Sequence, residues 1–186
     1  MAAKKRLTTR SLLACVVLGA GSAVFVWLAI VLNALMSASL PWAAYPAPTP
    51  MFFGAIAAVL LIRKPGVAAL TALITALIGF GTMALIAGLC VELAAFLGKK
   101  LLRPDGGMFT SAALTWAAFG GGMGGLGLSL GIFMVSTARD ALPLHLLLLG
   151  MALKILLGIA YGVATFYIAR ISFRSGVNPQ GLPVNA

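Results

Sequence analysis

Two charged side chains stand where the chain is otherwise apolar. Glu92 lies in Ile86-Ala-Gly-Leu-Cys-Val-Glu92-Leu-Ala-Ala-Phe96, and Lys154 lies deep in the last long apolar run. A charge inside a bilayer is costly unless it pairs, changes protonation, lines a cavity or meets a ligand. Glu92 therefore has two readings: it binds a cationic ligand or couples a proton, or it makes a structural pair near Lys99, seven residues on. Lys154 has three: it meets Glu92 across a helix bundle, binds an anionic group, or snorkels to the interface. His145 precedes Lys154 by nine residues. On a helix of about 3.6 residues per turn that puts the two on opposite faces, so His145 reads as an interfacial residue outside any site with Lys154.

Further candidates surround these two. Trp42, Tyr45, Phe52 and Phe53 can stack on a flat heterocycle or a cation, although Trp and Tyr also gather at membrane interfaces with no ligand. Thr71 and Thr75, four apart, share a helix face; they contact a ligand, or bond a backbone carbonyl or another helix. Asn33 faces a neighbour near the end of its helix. Small residues recur every fourth position at Cys15, Gly19 and Ala23, and in the pairs Gly120/Gly124, Gly121/Gly125 and Gly127/Gly131. Such faces allow close helix approach. The first is expected to dock another subunit, the others to pack internally.

Several chemistries are excluded. Gly120-Gly-Gly-Met-Gly-Gly-Leu-Gly127 lacks the Lys-Ser/Thr ending of a phosphate-binding loop. One histidine, three acids and two separated cysteines, Cys15 and Cys90, form no metal set. The serines have no evident base partner. No enzymatic activity and no cofactor are expected.

The elements that position these residues follow from composition. Of 186 residues, 62% are hydrophobic and 9% charged, against roughly 25% charged in soluble domains. So few charges cannot coat a soluble fold, and lipid must solvate much of the surface. An all-α integral membrane protein is expected, with spans near residues 11–36, 48–62, 66–79, 82–98, 110–137 and 141–170. Residues 66–98 as one helix would be about 50 Å long, too long for a core of about 30 Å, and Gly79-Phe-Gly81 marks the break. The run from Ser11 to Leu32 also exceeds the roughly 7–15 residues of a signal-peptide core.

The net charge of +10 does not indicate nucleic acid, because the basic residues fall in short clusters between apolar runs. Six spans with cytoplasmic termini place eleven of the thirteen basic residues inside, from Lys4 and Lys5 through Arg63, Lys64, Lys99 and Lys100 to Arg174. Arg139 alone lies outside and Lys154 within a span. That agrees with the positive-inside rule. The expected organisation is a basic cytoplasmic N-terminus over 1–10, one six-helix transmembrane domain over 11–170 and a cytoplasmic tail over 171–186.

The second span is irregular. Pro41, Pro46, Pro48 and Pro50 leave only about Pro50 to Ile62 for regular helix, roughly 20 Å. The segment over 38–50 must extend the span as non-helical backbone or fold over the outer face, covered by protein or facing a water-accessible cavity. It is a candidate ligand lid.

The stretch Phe52-Phe-Gly-Ala-Ile-Ala-Ala-Val-Leu-Leu-Ile-Arg63-Lys64-Pro65-Gly66-Val-Ala-Ala-Leu-Thr71, followed by Gly88-Leu-Cys-Val-Glu92-Leu-Ala-Ala-Phe96, resembles the substrate-binding S component of energy-coupling factor (ECF) transporters, closest to the YkoE-type hydroxymethylpyrimidine/thiamine family. The likeness covers about residues 45–98, with the Arg-Lys-Pro-Gly turn as its most specific part. It implies a six-helix S-component bundle that captures a vitamin, thiamine or its hydroxymethylpyrimidine moiety, under the loop between the first two helices. The implied partners are a transmembrane coupling subunit and two ATPase subunits. Where the family carries acids after the helix-3 threonine and at the end of that helix, this chain has Ala72 and Gly79, leaving Glu92. The alternatives are a non-transport membrane scaffold and a solitary proton-coupled carrier using Glu92 and Lys154.

Overall fold

The computed structural model describes residues 8–44, 47, 49–79, 81–102, 108–134, 140 and 142–176. Tyr45 and the connections around 103–107 and 135–139 lie outside the described residues. The described elements are helices α1 (Thr9–Met36), α2 (Pro41–Ala44), α3 (Phe53–Ile62), α4 (Val67–Gly79), α5 (Thr82–Leu97), α6 (Ser111–Met134) and α7 (Leu144–Arg174), with no strand among the described residues. The expected ends are met within a few residues, except that the helix expected over 48–62 begins only at Phe53 and a separate one-turn α2 precedes it.

Helices α1, α4, α5, α6 and α7 form a ring in that order around α3, which packs on all five. The remaining gap, between α7 and α1, is where α2 packs on both. From Gly54 to Ile62 every residue of α3 is buried. A helix of ten residues, about 15 Å, is short for a span, yet its apolar side chains meet protein on every side. The expected second span is thus a central post.

The outer ring carries the opposite pattern. Leu13, Val17, Val24, Val31 and Leu35 of α1 are each more than half exposed, as are Leu144, Leu148, Leu156 and Ile171 of α7. The buried stripe of α1 runs Ser11, Cys15, Gly19, Ser22, Ala23, Val26, Ala29, small and at helical spacing. Its outside is more apolar than its inside, the reverse of a soluble helix. Both α1 and α7 are long and apolar enough to cross a membrane. The all-helical architecture is compatible with a helical membrane protein.

Glycines set the distances between the helices. A β-carbon on Gly121 of α6 would collide with the Gly158 carbonyl of α7, and one on Gly162 with the Ala117 carbonyl, so the two backbones touch. Gly127 and Gly131 face Ala87 and Met83 of α5, while Gly124 receives the ring of Phe52. The pairs Gly121/Gly125 and Gly127/Gly131 therefore each serve one neighbouring helix, α7 and α5, whereas Gly120 meets Trp116 of its own helix. The α4–α5 break has a similar cause: added β-carbons on Gly79 and Gly81 would lie 2.9 and 2.6 Å from Val26 of α1. Only glycine admits α1 so closely there.

Candidate functional site

The candidates separate to opposite ends of the bundle. At the end holding the α3–α4 turn, α3 stops at Arg63, whose φ of 50° is left-handed, and Gly66 follows at φ 85°. Glycine takes that conformation without the strain of a β-carbon. The Arg63 guanidinium donates from Nη1 to the Leu102 carbonyl at 2.9 Å and from Nη2 to the Met108 carbonyl. Across the turn, Glu92 of α5 accepts from the Gly66 N–H at 2.6 Å through Oε1, and from the Ala68 and Ala69 N–H groups at 2.9 and 3.3 Å through Oε2. A carboxylate on the open amides of a helix N-terminus satisfies donors that have no partner within the helix and faces the positive end of its dipole.

The Arg-Lys-Pro-Gly turn and Glu92 are therefore one structural joint. It ties α3 and α4 to α5 and to the connection that follows α5. The partners of Glu92 are backbone amides in place of a basic side chain. The pairing of Glu92 with Lys154 is likewise corrected, because each is bonded elsewhere.

Thr71 and Thr75 occupy the α1–α4 seam and are fully buried. The Thr71 hydroxyl donates to the Val67 carbonyl at 2.7 Å; that of Thr75 lies 3.0 Å from both the Gly19 and the Thr71 carbonyls. Both hydroxyls are thus engaged with backbone carbonyls, that of Thr71 within its own helix and that of Thr75 also across to α1. The face of Cys15, Gly19 and Ala23 is buried within the same chain. A β-carbon on Gly19 would lie 2.8 Å from the Ile74 side chain and 2.9 Å from the Thr71 carbonyl. The expected subunit-docking face is thus corrected to an intramolecular one, taken up by α4.

Two aromatics also prove to be packing residues. Phe52 is buried against Gly124, and the Phe53 ring lies 6.0 Å from that of Phe25, tilted by 58°. Just after Phe53, the Gly54 N–H donates to the Ser22 hydroxyl of α1 at 2.7 Å. Phe52 supplies no side-chain cap to α3, so Ser22 does this from a neighbouring helix. A lone serine in an apolar run gave no sign of that role.

At the other end stands Lys154, 3% exposed. Its Nζ donates to the Ala43 carbonyl of α2 at 3.2 Å. One turn earlier on α7, Gly150 leaves room for the Trp42 carbonyl, so two successive carbonyls of α2 turn toward α7. Ala43, Ala44, Ala47 and Thr49 are buried. Of the described residues of the proline-rich segment, these four are covered by protein while Ala38 to Pro41 are exposed, and α2 fills the gap between α1 and α7. His145 is exposed on the other side of α7, as their spacing requires.

The sequence reading overlooked the pattern that places Lys154. Gly150, Lys154, Gly158 and Gly162 follow one another at four-residue spacing and all are buried. The lysine is the one long side chain of a stripe otherwise made of glycine. Comparison with known protein families, with curated proteins and with solved structures finds no match to this chain.

Proposed function

We propose that this chain is a multi-pass protein of the cytoplasmic membrane that captures a small molecule, the S component of an ECF-type importer working with a transmembrane coupling subunit and two ATPase subunits. It crosses with six helices and both termini inside. The observation that carries this reading is α2, a one-turn segment lying over a buried charge where the ring of helices is otherwise open. A bundle built only for packing has no need of an ammonium group at that place. The apolar outer faces of α1 and α7 and the inward bias of the basic residues support the location.

The scaffold reading draws on a separate observation: Thr71, Thr75, Phe52 and Glu92 are all engaged in packing or capping. Two measurements decide. In a background lacking Cys15 and Cys90, Ser37→Cys should react with an impermeant thiol reagent on intact cells, and Ser175→Cys only after permeabilisation. Tryptophan fluorescence of the purified protein, titrated with thiamine and hydroxymethylpyrimidine and with charged and neutral vitamins, should show saturable quenching that Trp42→Phe abolishes. A folded, ligand-free protein that responds to none of them is a scaffold.

A further inference from the structure

We infer that Lys154 is the anchor for an anionic group, a carboxylate or a phosphate, of a ligand that enters by displacing α2; this rests on the capture reading above. Lys154 lies ten residues into α7, about 15 Å along the helix, and is 3% exposed. An ammonium there carries three donors and a full charge. Among the described residues its partner is the Ala43 carbonyl, a neutral dipole that answers one donor and offsets little of the charge. The joint at the opposite end of the bundle holds Glu92, so the acid nearest to this role in the sequence is out of reach.

Geometry leaves the lysine one direction to work in. Gly121 and Gly125 of α6 lie against the backbone of α7 from Lys154 to Gly162, which closes the seam on that side. The side chain is turned to α2, the element that separates α1 from α7. Among the described residues, α2 is one turn long and packs through the methyl groups of Ala43 and Ala44 and the half-buried Trp42. Carbonyls at the end of a one-turn helix are partial negative charges, and they occupy the place a true anion would take. An entering acid exchanges a dipole for a charge, and the displaced α2 opens the gap it fills. A cationic pyrimidine or thiazolium would instead meet a like charge.

The test uses the full chain in nanodiscs of phosphatidylcholine, read by tryptophan fluorescence and thermal unfolding. The probes are matched pairs, nicotinate with nicotinamide, pantothenate with panthenol, and pyridoxal phosphate with pyridoxine, together with inorganic phosphate and thiamine. The expected result is a response to an acid and none to its neutral partner, weakened at least about tenfold in Lys154→Met and in Lys154→Gln, and recovered in part by Lys154→Arg. A rise in unfolding temperature on adding phosphatidylglycerol, lost in Lys154→Met, would make a lipid headgroup the source of the same anion. Neutral compounds or thiamine binding equally to the wild type and to Lys154→Gln would overturn the inference while leaving the capture reading intact. If neither acids nor phosphatidylglycerol affect the folded wild type, the anion anchor is wrong; if thiamine and the neutral compounds also fail, capture falls with it.

Discussion

Glu92 offers the sharpest test of the joint at the α3–α4 turn, because a cap and a ligand-binding charge respond differently to graded substitution. In Glu92→Gln the amide oxygen can still accept from Ala68 and Ala69, whose N–H groups meet Oε2 at 2.9 and 3.3 Å. What is lost is the bond from Gly66, an exposed residue that water can serve, and the charge facing the helix dipole. The dipole contribution is about 0.3–1 kcal/mol, so Glu92→Gln should cost roughly 1 kcal/mol. Glu92→Ala removes both oxygens and leaves the N–H of fully buried Ala68 unpaired. An orphaned buried donor costs about 1–3 kcal/mol, which with the dipole gives about 1.3–4 kcal/mol. Equilibrium unfolding of purified variants, followed by tryptophan fluorescence, measures both. A cap predicts Gln mild and Ala severe. If the two substitutions leave stability within about 0.5 kcal/mol of the wild type and abolish ligand response equally, Glu92 acts through its charge on a ligand and the cap argument is refuted.

Other perturbations probe the packing directly. Gly121→Ala, whose methyl would meet the Gly158 carbonyl, should destabilise by about 1–3 kcal/mol or more, while Gly21→Ala, with nothing nearby, should be neutral or slightly stabilising; the same unfolding assay compares them. Ser22→Ala strands the buried Gly54 N–H and should cost about 1–3 kcal/mol, with Ser22→Thr closer to wild type if its methyl is accommodated. Gly19→Leu should unfold or loosen the α1–α4 seam in the isolated chain. A folded, normally stable Gly19→Leu protein would return that face to the role of a docking surface.

The positions of the helices were legible because they depend on local matters. Apolar runs, prolines and the Gly79-Phe-Gly81 break located five of the seven described helices within a few residues, and the end of a sixth, α3. The opposed faces of His145 and Lys154 followed from helical periodicity alone. The proline-rich segment was recognised as irregular, but not that it would contain a helical turn packed inside the bundle. Ser22 and the Gly150, Gly158, Gly162 stripe went unread as parts of an arrangement, although the four-residue spacing around Lys154 was present in the sequence.

Composition by itself led to the expectation of a helical membrane protein, and hydropathy located its helices, because solvation and helix propensity act residue by residue. Partnership is a different quantity. Glu92 reaches amides 23 to 26 residues before it, Thr75 a carbonyl 56 residues away and Lys154 a carbonyl 111 residues away. No local pattern encodes those distances. They were decided when α3 took the centre of the ring, α4 covered the small-residue face of α1, and α2 filled the gap left between α1 and α7, for only then did these three side chains have their partners within hydrogen-bonding reach.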